Sequence, residues 1–164
     1  AERLAERVRA INPEITVNAV NRRVDGDDLR QLVSESTLVL DCTDNFNTRF
    51  ALNRASVSSK VPLVSGAAIR GEGQLSVYDP RKSESPCYHC LYPEQGNEDL
   101  TCSEAGVIAP LVGMIGSAQA MEAIKVISEV GRPLVGRLLL LDAWQMEWRE
   151  MKLAKDPDCS VCAG

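Results

Sequence analysis

Apolar and polar positions alternate with clear periods along most of this chain, and the period changes from segment to segment. Leu4, Val8 and Ile11 fall on one side of a helix with Glu and Arg opposite, and Asn12-Pro13 ends it. Ile15 to Val20 alternates as a half-buried strand does. Asp25-Gly26-Asp27 predicts a turn and cap ahead of a short helix through Leu29, Leu32 and Val33. Leu38-Val39-Leu40 is a continuous apolar run, the mark of a strand covered on both faces, and it stops at Asp41-Cys42-Thr43-Asp44-Asn45. A helix is predicted from about Phe46 to Val57, with Phe50 and Leu52 among its apolar contacts. Another strand begins at Pro62-Leu63-Val64, and Gly66, Gly71 and Gly73 punctuate a bend into a further one, Leu75 to Tyr78.

Pro80 to Cys102 reads as a long polar loop. The strongest helix of the chain follows, from Pro110 to Val130. Met114, Ala118, Met121, Ile124 and Ile127 are its expected buried face, and Gly113, Gly116, Ser117 and Ala120 are small enough for close backbone approach. Leu138 to Leu141 is a core strand, and Trp144 to Leu153 extends as an edge strand. Strand and helix in alternation predict an α/β fold, a mostly parallel sheet with helices on both faces. There is no internal repeat and no linker, so residues 1–164 read as a single domain. The sequence opens in mid-helix, where a doubly wound fold would have a strand and its first crossover. The expectation is the later part of a larger unit.

Composition narrows the function classes. With 45% hydrophobic and 25% charged residues, 164 residues can bury a real core. The net charge of -5 offers no basic face to a nucleic acid. No apolar run is read as long enough to cross a bilayer and no leader pattern opens the chain, so the expected location is the cytoplasm, without a membrane partner.

Six cysteines are many for a reduced compartment. Four of them fall in two matching frames, Cys87-Tyr88-His89-Cys90 and Cys159-Ser160-Val161-Cys162, while Cys42 and Cys102 stand alone. Each Cys-x-x-Cys turn presents two thiolates on one side of a tight loop, and two such turns complete a closed tetrahedral zinc site. The frames are far apart in sequence, so a shared ion would staple a mid-chain loop to the C-terminal tail. A thioredoxin-like redox pair would need a motif opening a helix directly after a strand, and neither frame is placed so. An iron–sulfur cluster is the remaining alternative. His89, between two candidate ligands, is read as a neighbour of the site and not as a ligand.

Ligands of open α/β sheets bind beyond the carboxyl ends of strands, where Asp41 to Asn45 lie. A carboxylate such as Asp44 there could hold Mg²⁺ shared with nucleotide phosphates. Equally, Thr43, Asp44 or Asn45 could simply cap the next helix. The pattern alone leaves both open.

The run Leu40-Asp41-Cys42-Thr43-Asp44-Asn45 with Arg49, then Pro62 to Ala68, resembles the bacterial MoeB/ThiF/HesA family. So do Pro86 to Leu91, Cys102 to Val107, Gly116 to Lys125 and the terminal Cys159-to-Cys162 frame. The resemblance runs in order through nearly the whole chain. Ser65 to Arg70 and Ala120 to Lys125 lean toward the MoeB branch, which activates the molybdopterin sulfur carrier; the ThiF branch of thiamine biosynthesis is the near alternative. The resemblance implies a Rossmann-like, zinc-stapled fold. It also implies a ubiquitin-activating-like enzyme that uses ATP and Mg²⁺ to adenylate the C-terminal glycine of a ubiquitin-like sulfur-carrier protein, usually as a homodimer. By it Asp44 would bind magnesium, Asn45 and Arg49 would line the nucleotide site, and Cys87, Cys90, Cys159 and Cys162 would hold structural zinc. Cys102 would match a cysteine that in some members bonds covalently to the activated carrier; an inert free thiol is the alternative, since no base stands beside it in sequence.

The family's Gly-rich phosphate loop, its ribose-binding acid and the arginine and lysine that reach the phosphates are not among these residues. Backbone N–H groups of such a loop cradle phosphate. The resemblance therefore implies the C-terminal two-thirds of the family fold, without the first βαβ half, and weak ATP binding by these residues alone. Two functions follow as expectations: part of an adenylyltransferase, or a non-catalytic carrier-binding or dimerisation module.

Overall fold

The computed structural model describes residues 1–93 and 105–163. Helices α1 (Glu2–Ile11) and α2 (Gly26–Ser34) precede strand β1 (Val39–Asp41) and helix α3 (Phe46–Ser59). Strands β2 (Leu63–Ile69) and β3 (Glu72–Tyr78), the single turn α4 (Tyr88–Leu91), helix α5 (Ala109–Ser128) and strands β4 (Arg137–Asp142) and β5 (Glu147–Lys152) complete the described elements. The five strands form one sheet in sequence order.

The α/β class holds, but the expectation of a mostly parallel sheet does not. Only β1 and β2 run parallel, with α3 as their crossover; β2–β3, β3–β4 and β4–β5 are antiparallel. For β2–β3 and β4–β5 the reason is the length of the connections, four residues at most. Arg70-Gly71 joins β2 to β3, far too short for a crossover, which needs a dozen or more residues. The bend expected around three glycines is confined to this turn, where Arg70 takes a left-handed φ of 52°. Both of its backbone groups are held there: its N–H donates to Gly106 at 2.8 Å and its carbonyl accepts from Ile108 at 3.1 Å.

Helices do cover both faces. Leu63 and Tyr78 pair across β2 and β3 and point toward α3, packing with Phe50, Leu52, Ala55 and Tyr88. The next pair, Val64 and Val77, points the other way with Leu75 toward Val126 of α5. This alternation is the two-residue period of the strand at work.

The buried face of α5 differs from the one expected. Leu111, Ile115, Gln119, Glu122, Ala123 and Val126 are buried. Met114 and Ala118 are partly buried, whereas Met121, Ile124 and Ile127 are 57%, 58% and 59% exposed. The helix is apolar on nearly every side, so periodicity could not choose. It is also long and apolar enough to cross a membrane by length and composition, contrary to the sequence reading, and here it lies across the sheet. Two polar side chains fix its rotation. Gln119 Nε2 donates to the carbonyls of Asp41 (2.7 Å) and Val64 (3.3 Å), and Glu122 accepts from Leu134 N–H at 2.8 Å. Close approach is permitted by strand glycines, not by Gly113 or Gly116, which have open space beside them. A Cβ on Gly73 would lie 2.6 Å from Ile115 Cδ1.

One further expectation fails, and α1, a helix as expected, finds little cover for its apolar side. Leu4 and Ile11 of α1 are 67% and 85% exposed, Ala5 being the buried residue of that helix. Residues 15–20 form no strand, because no strand lies alongside to accept their hydrogen bonds among the described residues; the Val17 carbonyl instead takes the Arg9 guanidinium.

From β3 the chain reaches α4 through a loop ordered by Asp79, which is 2% exposed. Its carboxylate accepts from Arg81 Nε at 2.8 Å and from a second guanidinium nitrogen at 2.9 Å, while its N–H donates to Ser85 Oγ at 3.0 Å. Burial opposes ionisation of Asp79, yet Arg81 outweighs it and holds the carboxyl below its ordinary range. A depressed folded-state value means stability that is present above the ordinary carboxylate range and lost as pH falls through the folded value. Asp79→Asn should therefore cost about 1–2 kcal/mol at pH 7, the half-exposed Arg81 being screened by solvent. In urea melts the difference from wild type should close below roughly pH 4. Gly73→Ala should cost about 1–3 kcal/mol by pushing α5 off the sheet, read from the same melts.

Candidate functional site

β1 ends on Asp41, whose carboxylate is 1% exposed and must be satisfied from within the protein. One oxygen accepts from the Thr43 N–H at 3.0 Å and the Thr43 hydroxyl at 2.7 Å; the other accepts from Ser65 Oγ on β2 at 3.0 Å. Arg49, 7% exposed on the second turn of α3, lies 3.8 Å from the same carboxylate and donates to the Thr43 carbonyl. A buried ion pair thus fixes the turn that leads from β1 into α3.

Of the candidate caps it is Asn45 that closes the helix, its side-chain oxygen accepting from the Thr48 N–H at 2.9 Å. The exposed Asp44 is spared that duty; its carboxylate takes a long contact from Asn45 Nδ2 at 3.4 Å. Asp44, Asn45 and Arg49 all line a cleft of about 540 Å³, closed on other sides by Arg70, Gln74 and Tyr92. The cleft lies on the α3 face of the sheet, where Ala67 and Gln74 pair across β2 and β3. Tyr92 donates from its hydroxyl to Gln74 Oε1 at 2.7 Å, so the residue that follows α4 is tied to the cleft floor.

The second candidate site is a cysteine cluster. Cys87, Cys90, Cys159 and Cys162 bring their sulfurs within 4.8 Å of one another. Cys87 to Cys159 is 3.7 Å, Cys90 to Cys162 is 3.5 Å and Cys87 to Cys90 is 4.0 Å. A tetrahedron of metal–sulfur bonds about 2.3 Å long has edges of about 3.8 Å. The donor set fits one divalent ion and leaves little room for a multi-iron cluster. Cys87 does cap a helical turn, as a redox motif would, but it follows the Asp79 loop and not a strand.

The thiols share charge unevenly. Burial, partly offset by Asn53 and Cys162, pushes Cys87 up to about 11. Burial also opposes ionisation of Cys159, yet the backbone N–H groups of Val161 and Cys162 and the neighbouring thiols bring it down to about 6. Cys162 is pushed up by burial and by Cys90 and Cys87 beside it. Cys159 ionises readily while Cys87 and Cys162 resist, a conflict that a bound cation would remove.

Cys102 lies outside the described residues. Several residues that build the site carried no signal in sequence. Asp41 stood inside the acidic turn without any mark of being its buried hub, and Gln119 was one polar position in an apolar helix. Arg70 and Tyr92 come to the cleft from separate loops. Only the polar character of Gln119 within an apolar helix could have drawn attention to it; Asn53 stood among many polar residues of α3.

The chain matches the ThiF family model over residues 1–161. It is 52% identical over 152 residues to a molybdopterin-synthase adenylyltransferase of Salmonella typhimurium, covering 93% of this chain and 61% of that protein. To the sulfur carrier protein ThiS adenylyltransferase of Escherichia coli it is 39% identical over 159 residues, covering 97% of this chain and 62% of that one. The chain thus spans about three-fifths of these relatives' length. Among solved structures, E. coli MccB with ATP superposes with a TM-score of 0.82 at 19% identity, over 99% of this chain and 51% of that one, a likeness of fold. With the strand-end turn, the four-sulfur cluster and a match along nearly its whole length, this chain belongs to the ThiF family.

Proposed function

We propose that this chain supplies the metal-stapled part of an ATP-dependent adenylyltransferase, one that activates the C-terminal glycine of a ubiquitin-like sulfur carrier. The observation that carries the reading is the division of labour after β1. Asn45 caps α3, so the Asp44 carboxylate stays available at the rim of a cleft that Arg49 and Arg70 also line. Joining a carboxylate to the α-phosphate of ATP with loss of pyrophosphate brings two anions together, so charge neutralisation and alignment carry most of the rate. Mg²⁺ held by Asp44 would supply part of that neutralisation. The chain's own contribution is a turn whose position is fixed by the buried Asp41–Arg49 pair.

The cleft suits the carrier's tail, being bounded by the edge of α3 and by Tyr92. The higher identity to a molybdopterin-synthase adenylyltransferase favours that carrier over the thiamine one. Cys102, outside the described residues, belongs to the same reading through the family resemblance, as a thiol that would displace AMP from the adenylated glycine. Exposed Met121, Ile124 and Ile127 suit burial in a homodimer, and four reduced thiols suit the cytoplasm. We assign zinc to the four cysteines, as a closed thiolate site with no open position for substrate.

Carrier-dependent ATP–pyrophosphate exchange by the full reading frame is the direct measurement. Exchange is expected with a carrier ending in glycine, and Asp44→Asn should lower it by on the order of 100-fold. Carrier binding with no exchange would replace this reading with that of a non-catalytic docking module. Elemental analysis should find one zinc per chain, and chelation should lower Tm by at least about 5 °C. A metal-free protein unmoved by chelator would end the zinc assignment.

A further inference from the structure

The two turns that carry the four sulfurs are not equivalent in their surroundings. Cys87 and Cys159 are 2% and 3% exposed, while Cys90 and Cys162 are only half-buried. Four thiolates around one divalent cation leave two negative charges in excess. Sulfurs reached by water can have that charge solvated; buried sulfurs need N–H donors from the protein.

Side chains stand beside the two buried sulfurs. Asn53 lies on α3, 0% exposed, and its Nδ2 donates to Cys87 Sγ at 3.5 Å. The other end of the same amide accepts from the Tyr88 N–H at 2.8 Å. The amide is thereby locked with its donor end on sulfur. His89 places Nδ1 3.6 Å from Cys159 Sγ, with its ring against Phe50 at a centroid distance of 6.2 Å. The half-buried Cys90 receives backbone donors alone among these contacts, the N–H groups of Cys87 and Asp156, each at 3.5 Å, whereas Cys159 has the backbone N–H groups of Val161 and Cys162 beside His89.

We propose that Asn53 and His89 are positioning residues of the metal site, donating N–H···S hydrogen bonds to the Cys87 and Cys159 thiolates of the loaded cluster. The inference rests on the metal reading above and goes beyond the four ligands. Asn53 also ties the site to the cleft, because α3, which is capped by Asn45 and carries Arg49, holds the first cysteine turn by both its backbone and its sulfur.

The test is cobalt(II) substitution of wild type, Asn53→Asp and His89→Phe. Zinc affinity is measured in parallel by competition with a chromophoric chelator. Asn53→Asp keeps the acceptor for Tyr88 and removes the donor; His89→Phe keeps a ring against Phe50 and removes the N–H. Wild type should take up one cobalt with the intense charge-transfer bands of four thiolates. Each variant should still bind one ion, about 10- to 100-fold more weakly. The bands should move to lower energy, because a sulfur that loses an N–H donor gives up its electrons more readily. A merely structural role would weaken binding without moving the bands. Variants with wild-type affinity and unshifted bands would overturn the proposal while leaving the metal reading intact. A wild-type chain that takes up no cobalt would overturn both. Should Asn53→Asp not fold, His89→Phe at its half-buried position decides alone.

Discussion

The site depends on one carboxylate that has been taken out of water. Asp41 ends β1 with its side chain turned inward, and an ionised group buried to that degree is tolerated only when donors surround it. Thr43 and Ser65 supply three of them, and Arg49 supplies the countercharge. Gln119 of α5 takes the Asp41 carbonyl as well, so both faces of the sheet converge on one residue. The position of Asp44 follows from this. It sits on a turn that cannot relax without breaking the buried pair, and the helix behind it is closed by Asn45.

The cysteine cluster is a second constraint, independent of the first in origin and joined to it through α3. Residues 87–90 and 159–162 are brought together across a long stretch of chain, their sulfurs within 4.8 Å of one another, while the Asp156 N–H on Cys90 Sγ and Lys155 Nζ on the Ser83 carbonyl hold the tail beside them. The Asp79 loop delivers Cys87, while Tyr88 packs into the α3 core and Tyr92 reaches the cleft. A perturbation of the cluster is therefore felt at the floor of the cleft through two short segments of well-packed chain. That is the physical content of the term staple: a local bond set that removes freedom from a tail and from a loop at once.

Much of this was legible along the chain. The paired cysteine frames pointed to one shared cluster of four sulfurs because two identical spacings restrict the geometry more than one does. The abrupt change from Leu38-Val39-Leu40 to small polar residues marked a strand end and the turn that lines the cleft. The long helices and the paired strands appeared within a few residues of their observed bounds. What failed did so for a common reason. A periodic pattern shows which residues can share a face, and cannot show whether a partner will be there to cover it. Ile15 to Val20 alternated without a neighbouring strand, and the apolar stripe of α1 found little to pack on. In α5, with hydrophobic residues all round, two buried polar groups decided the rotation.

By itself, then, the order of residues determined most of the elements, the two paired cysteine frames and the turn on which Asp44 sits, because each is set by spacings of a few residues along the backbone. Tertiary structure decided the sense of the strands, the buried face of α5 and the choice of Asn45 over Asp44 as the cap. It also decided the partnership of Asp41 with Arg49 and of Asn53 with Cys87. Those outcomes depend on which groups meet after the chain has closed over long distances, and on the cost of leaving a buried polar atom unpaired, which no local pattern records.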